Sequence, residues 1–316
     1  MEEIEIPCKF IKDVSLKDKT WIHRGGMVNY WLQPQTIEEL VSVGKKLYQD
    51  KESFVPIGYT SNTYFKNGFN IKYVIDTRLL KRFCIIDDKT LLCECGAPMS
   101  KVSQYCVEKG ISRYEGMIGL PGAVGGAIYC NSGCYDCGID KTLIEIELLT
   151  EQGEIIKVSA EKMKYEFRTS AMKRGELNGI ILRAYFDISK REDSNILQSI
   201  ANKNSLNRKQ TQDPPTQNLG STFNYTGYKR GLRNNIIKNV MRVYSRISKD
   251  TNKRYLVRKR ITCLIYNKMS IFKYISDKRM NCFIWKDDGA DAAYPKYMEM
   301  MRRIYSDVDV EIITME

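Results

Sequence analysis

The chain has 316 residues, 43% of them hydrophobic, and a formal net charge of +12. That length holds two or three domains with a sizeable core, and no apolar run is long enough for a transmembrane helix. The start, "MEEIEIPCKF", is acidic and poor in apolar residues, unlike a secretory signal, and ten cysteines without a small disulfide framework point to a reducing cytoplasm.

In chain order, "TIEELVSVGKKLYQ" at 36–49 sets Leu40, Val41, Val43 and Leu47 near helical spacing, with Thr36 and Glu39 as a capping box. "FVPIG" and "YVIDT" read as short buried strands around the loop "YTSNTYFKNG". "TLLCECG" reads as a strand and 99–109 as a helix, an alternation that implies an α/β or α+β domain. "LIEIELLT", "EIIKVSA" and "GIILRAYFDI" read as further strands. A polar stretch follows, and its Pro214–Pro215 pair stops any helix, so a boundary is expected near 190–220.

The charge is local. Between 225 and 262 lie twelve lysines and arginines against one acid, Asp250, so this segment carries about +11 of the +12. Within it, 233–248 places Ile236, Ile237, Val240, Tyr244 and Ile247 on one helical face, expected to pack on a core. Membrane-surface or RNA contact are the sharper alternatives. Nucleic acid is not expected, because interleaved stacking aromatics and a recognisable module are missing. "PKYMEMMRRIY" reads as a late helix and "VDVEIIT" as a terminal strand.

"CEC" at 93–95 and the pair Cys134 and Cys137 fit buried thiols better than metal ligands, because the spacing forms no paired knuckles and His23 is the sole histidine. No metal is expected. In "GLPGAVGGAIYCNSG", five glycines fall in fifteen residues from 119. A glycine-rich turn lets backbone amides face an anion. The run is neither a dinucleotide fingerprint nor a P-loop, and composition alone leaves a structural loop and a cofactor loop equally open.

The order of residues goes further. "YEGMIGLPGAVGGAIYCNSGCYDCGI" resembles the flavin-binding signature of the UDP-N-acetylenolpyruvoylglucosamine reductases, with residues 119–127 and 131–135 matching its glycine and asparagine runs. "TWIHRGGMVNYWLQP", "PIGYTSNTYFKNG", "YEFRTSAMKR" and "QDPPTQNLGSTF" resemble four further family stretches in the expected order, so the likeness covers residues 20–223. It implies an α+β fold: a two-lobed FAD-binding domain of the vanillyl-alcohol-oxidase/PCMH type, then a smaller α+β substrate domain. The expected division is lobe 1 over 1–75, lobe 2 over 76–195, a linker over 196–219 and the substrate domain over 220–316, with a basic insertion at 226–262.

The resemblance implies noncovalent FAD, since His23 lies outside the loop where relatives of this fold attach flavin. It also implies NADPH as reductant and a UDP-sugar substrate whose enolpyruvyl ether is reduced. Gly58, Ser61, Asn62, Gly119, Pro121, Gly122, Gly125, Gly126 and Asn131 fall at cofactor-binding positions. Arg168 matches the catalytic arginine, suited to a developing carboxylate enolate, and Ser221 matches the proton donor. With a one-residue shortening Glu311 takes the place of the third catalytic residue; without it Ile313 stands there. Tyr59 and Thr60 replace flexible glycines. Asn224, Tyr225 and Thr226 stand where the family has lysine, asparagine and proline, and Arg279 stands for a histidine.

The flavin half is therefore kept and the substrate half diverged. Three readings follow: the peptidoglycan-precursor reductase, a paralogous oxidoreductase for another nucleotide sugar or enol ether in surface polysaccharide synthesis, and a flavin-binding protein without catalysis. In the last, the basic segment is a peripheral partner or membrane contact.

Overall fold

Thr36 caps the first helix, α1 (Ile37–Gln49), its hydroxyl accepting from the Glu39 amide at 3.2 Å while the Glu39 carboxylate accepts from the Gln35 amide at 2.8 Å. α1 buries Leu40, Val43 and Leu47, as its spacing predicts. The computed structural model describes residues 6–214 and 216–316. The acidic start at 1–5 and Pro215 lie outside the described residues. The chain forms two units. Of the described residues, one takes 6–18, 27–60 and 70–207; the other takes 19–26, 61–69, 208–214 and 216–316.

The first unit holds two sheets. A four-stranded sheet runs in the order Lys9–Ser15, Met27–Gln33, Ile71–Asp76, Phe54–Ile57, with the first pair antiparallel and the others parallel. Pro56, which lacks an N–H, sits on the edge strand, where that loss is tolerated. A five-stranded antiparallel sheet runs Ile155–Ser159, Leu143–Leu149, Ile180–Asp187, Thr90–Glu94, Phe83–Asp87. Helices α1, α2 (Met99–Glu108) and α3 (Val124–Tyr129) contribute Leu40, Val102 and Ile128 to one core with Ile146, Leu148 and Ala184 of the sheet. This mixture of helices with largely antiparallel strands is the expected α+β class.

The expected linker differs. Residues from Ser194 to Thr211 form α4, which buries Leu197 and Ala201. The Asp193 carboxylate accepts from the amides of Asn195 at 2.7 Å and Ile196 at 3.3 Å, starting the helix, and the stretch holds no glycine or proline to break it. The expected 1–75 lobe also differs, because 19–26 and 61–69 belong to the second unit.

That unit has an aromatic core. Phe283 lies 4.9 Å from Trp285 and 5.1 Å from Tyr297, and Tyr64 lies 4.2 Å from Trp285, between ring centres. Strand Ile313–Met315 pairs in parallel with Thr63–Phe65, which is what draws 61–69 into this unit. The basic segment forms the helix expected over 233–248, α5 (Leu232–Ile247), and a further helix, α6 (Thr251–Ile265), capped by Asp250 on the Asn252 and Lys253 amides. Lys259 is buried, its ammonium donating to the Ile275 carbonyl at 2.6 Å and pairing with Asp277 at 2.7 Å. Helix α7 (Ala290–Ile304) buries Tyr297, Met298 and Met301. The expected terminal strand is broken in two, Asp309–Val310 and Ile313–Met315.

Candidate functional site

In the first unit the glycine loop is fixed to the sheet by its own backbone. The Gly125 amide donates to the Cys95 carbonyl at 2.8 Å, the Val124 amide to Ala97 at 2.9 Å, and the Met99 amide to Gly122 at 3.0 Å. A side chain at Gly125 would meet the Cys95 carbonyl oxygen at 3.2 Å, so this glycine serves protein packing. Gly119 and Gly126 differ: a Cβ at either meets nothing within 4 Å, and both are exposed, as is Pro121. Gly119 has φ +74°, a left-handed conformation that glycine adopts without strain. The other side of the loop is closed by Gly58, whose Cβ would stand 2.8 Å from that of Ala123.

Asn131 follows the loop and ties segments together. It is buried, with its amide donating to the Glu166 carbonyl at 2.8 Å and its side-chain oxygen accepting from the Asp140 amide at 3.2 Å. Residues 166–169 form a tight turn, closed by paired amide–carbonyl bonds of 3.2 Å between Glu166 and Thr169. Arg168 occupies that turn at φ +57°, and its guanidinium donates to the carbonyls of Asn131 at 3.3 Å and Gly133 at 2.6 Å. The fold thus brings Arg168 to the chain that leaves the glycine loop. Ser170, fully buried, donates to the Tyr129 carbonyl at 2.7 Å and pins the same turn to the end of α3.

Burial pushes the Cys95 thiol up to about 12 and Cys137 up to about 11, keeping both neutral beside the loop. All ten cysteines are free thiols, and no group of three or more His, Cys, Asp or Glu able to hold a metal occurs among the described residues. Burial also raises the Tyr59 hydroxyl, and Thr60 is buried at φ +54° where the flexible glycine is replaced.

In the second unit three other predicted residues come together. The Asn62 side-chain amide donates to the Glu311 carbonyl at 3.0 Å, the Ile313 amide donates to the Asn62 carbonyl at 3.0 Å, and the Glu311 amide donates to the Thr222 carbonyl at 3.0 Å, one residue from Ser221. Ser61 precedes Asn62 and is half-buried. Ser221 follows Gly220, which turns the chain at φ +79°. The Ser221 hydroxyl accepts from Arg279 Nη1 at 3.3 Å, and Arg279 Nε is buried with no hydrogen-bond partner among the described residues. Arg279 carries no expected role; its one signal in the sequence is that it stands where the family has a histidine. Tyr225, where the family carries asparagine, stacks into a cluster 4.1 Å from Tyr305 and 6.0 Å from Tyr228, and Arg258 donates to the Tyr228 hydroxyl at 2.6 Å.

The open positions at Gly119 and Gly126, on a loop otherwise packed and hydrogen-bonded, fit a large cofactor that approaches the backbone closely. Comparison with known proteins agrees. Residues 28–159 match the FAD binding domain family. A UDP-N-acetylenolpyruvoylglucosamine reductase of Caldicellulosiruptor saccharolyticus is 30% identical over 226 residues, spanning 71% of this chain and 71% of that protein. The reductase of Staphylococcus aureus is 29% identical over 186 residues, 58% of this chain and 59% of that protein. The crystal structure of the Thermus caldophilus reductase superposes with a TM-score of 0.68 at 16% identity, over 98% of this chain and 99% of that one, a likeness of fold. The chain therefore carries an FAD-binding domain.

Proposed function

The chain belongs to the UDP-N-acetylenolpyruvoylglucosamine reductase family, an FAD-dependent oxidoreductase family, and on that premise we propose that it reduces the enolpyruvyl ether of a UDP-N-acetylglucosamine substrate to the lactyl ether, UDP-N-acetylmuramate, with NADPH as the source of hydride. The observation that carries this reading is the Arg168 guanidinium, held by the carbonyls of Asn131 and Gly133 directly after a glycine loop with open backbone positions.

FAD is assigned to the loop. Gly119, Pro121 and Gly126 are exposed and leave room for it, Gly58 and Gly125 hold the loop's packing, the Gly122 carbonyl anchors the loop to the Met99 amide, and Asn131 fixes the chain that follows; Ser61 and Asn62 are assigned to FAD by their match to the family's Gly58 stretch. Bound there, FAD would supply two-electron chemistry, passing the reducing equivalent of NADPH as a hydride to the substrate's β-carbon. As that bond forms, the π electrons of the C=C bond shift toward the carboxylate as an enolate. Arg168, permanently charged and forked, stabilises it. The enolate electrons then take a proton at the α-carbon from Ser221, whose oxyanion is reprotonated from water.

Arg279 supports the Ser221 role. A guanidinium offers only donors, so the serine oxygen accepts from it and keeps its own proton for the substrate. Its charge also favours the alkoxide left behind. Glu311 is assigned as a third polar group of the same half, held by its backbone bonds to Asn62 and Thr222. Ten free thiols accord with a cytoplasmic setting.

A second reading, the same reduction on another nucleotide sugar or enol ether, is favoured by one observation. Tyr225 is absorbed into an aromatic cluster where the family has a polar substrate contact.

Half-reactions test the assignment. In Arg168→Ala and Ser221→Ala, flavin reduction by NADPH persists, while reoxidation by the enolpyruvyl substrate slows by about 10²-fold or more. Reoxidation at the parent rate in both variants would remove these two residues from the chemistry.

A further inference from the structure

Helix α5 presents a row of apolar side chains to solvent. Leu232 and Ile247 are each 77% exposed and Val243 58%, with Ile236 and Val240 exposed between them. Their spacing confines them to about 80° of helix arc. The covered face is a different one, where Ile237 is buried and Met241 packs against the second unit's core. The periodic stripe expected to face the core is thus split: Ile237 goes inward, while Ile236, Val240 and Ile247 remain outside. Exposed Arg242 and Arg246 border the row on one edge and Arg233 on the other, and α5 contains no acid.

An occupant of this face has to bury aliphatic side chains and accept cations together. A second copy docking through the same face would set Arg242 and Arg246 against their equals. A nucleic acid would neutralise the arginines but leave the row in water, since aliphatic side chains offer bases no stacking platform. An anionic bilayer surface meets both demands: the row enters the acyl boundary and the guanidiniums lie at phosphate level. Helix α6 repeats the composition on its own exposed positions, with Leu256 and Leu264 beside Lys253 and Arg260. We propose that α5 is a membrane-docking helix that lies in the plane of an anionic lipid surface. This inference rests on the helix alone and holds for either substrate reading.

The test is flotation of the FAD-loaded full chain with vesicles of equal parts phosphatidylglycerol and phosphatidylcholine, against vesicles of phosphatidylcholine alone. At low salt, binding to the anionic vesicles is expected to exceed binding to neutral ones at least tenfold, and 0.5 M salt should remove most of that difference. The double substitution Val243→Asn, Ile247→Asn should weaken anionic-vesicle binding at least tenfold, and Arg242→Gln, Arg246→Gln should do so separately. Both alter exposed side chains, and retained flavin absorbance verifies the fold. Equal binding to the two vesicle types, no binding, or binding untouched by the asparagine variant would overturn the proposal. So would a concentration-dependent dimer abolished by the asparagine variant, which assigns the row to a second copy. RNA retention that depends on the arginines without anionic-vesicle binding would overturn it as well.

Discussion

Adding one methyl group at Gly126 should move stability and cofactor affinity in opposite directions. Gly126 lies inside α3, its φ is not in the left-handed region, and an added Cβ meets no protein atom within 4 Å. In the apo protein, Gly126→Ala therefore removes only the glycine's extra unfolded-state entropy, worth about 0.5–1 kcal/mol. At about 2–4 °C per kcal/mol for a domain of 150–250 residues, the melting temperature should rise by about 1–4 °C. If the open space is where FAD meets the backbone, the same methyl displaces it, and the FAD dissociation constant should rise tenfold or more, about 1.4 kcal/mol. Melting of apo protein and a flavin-fluorescence titration read the two arms. Gly125→Ala is the control: its Cβ would crowd the Cys95 carbonyl at 3.2 Å, so apo stability should fall. If Gly126→Ala raised stability and bound FAD as tightly as the parent, the loop would not be a cofactor cradle.

Arg279→Gln should lower turnover about tenfold or more with FAD binding unchanged, and should move the pH profile of the proton-donating step; an unmoved profile would make Arg279 merely structural. Lys259→Ala should cost about 2–4 kcal/mol and Lys259→Met distinctly less, because the stem of this buried lysine fills core volume that Met keeps; denaturant melts measure the difference. At pH 8, thiols raised to about 12, such as Cys95 and Cys106, should be about one ten-thousandth thiolate, so exposed Cys84 should be alkylated first when the modified peptides are followed by mass spectrometry. Because folding raises these thiol values, their stabilising contribution is complete below the ordinary value of 9.0 and is lost as pH rises toward 12.

The glycine loop, Arg168 and Ser221 could be proposed from the sequence because each sits in a short motif that resembles a family stretch. Arg168 stands on the Asn131 and Gly133 carbonyls through a four-residue turn. What stayed hidden depends on distant pairing. Nothing local in "TSNTYFKNG" says that Thr63–Phe65 pairs with Ile313–Met315, so the boundary of the first lobe was out of reach. The polar stretch read as a linker became α4 because Asp193 caps it and only Leu197 and Ala201 need cover. In α5 the apolar residues occupy a wide arc, so periodicity identified a helix but not its covered side. Arg279 meets Ser221 across 58 positions, a contact no spacing rule reveals.

The central claim is most directly tested by anaerobic flavin absorbance. The FAD-loaded protein is reduced with one equivalent of NADPH and then mixed with UDP-N-acetylglucosamine enolpyruvate. The account predicts prompt return of the oxidised flavin band with formation of UDP-N-acetylmuramate. A flavin that NADPH reduces but that this substrate leaves reduced would contradict it and move the search to another enol ether.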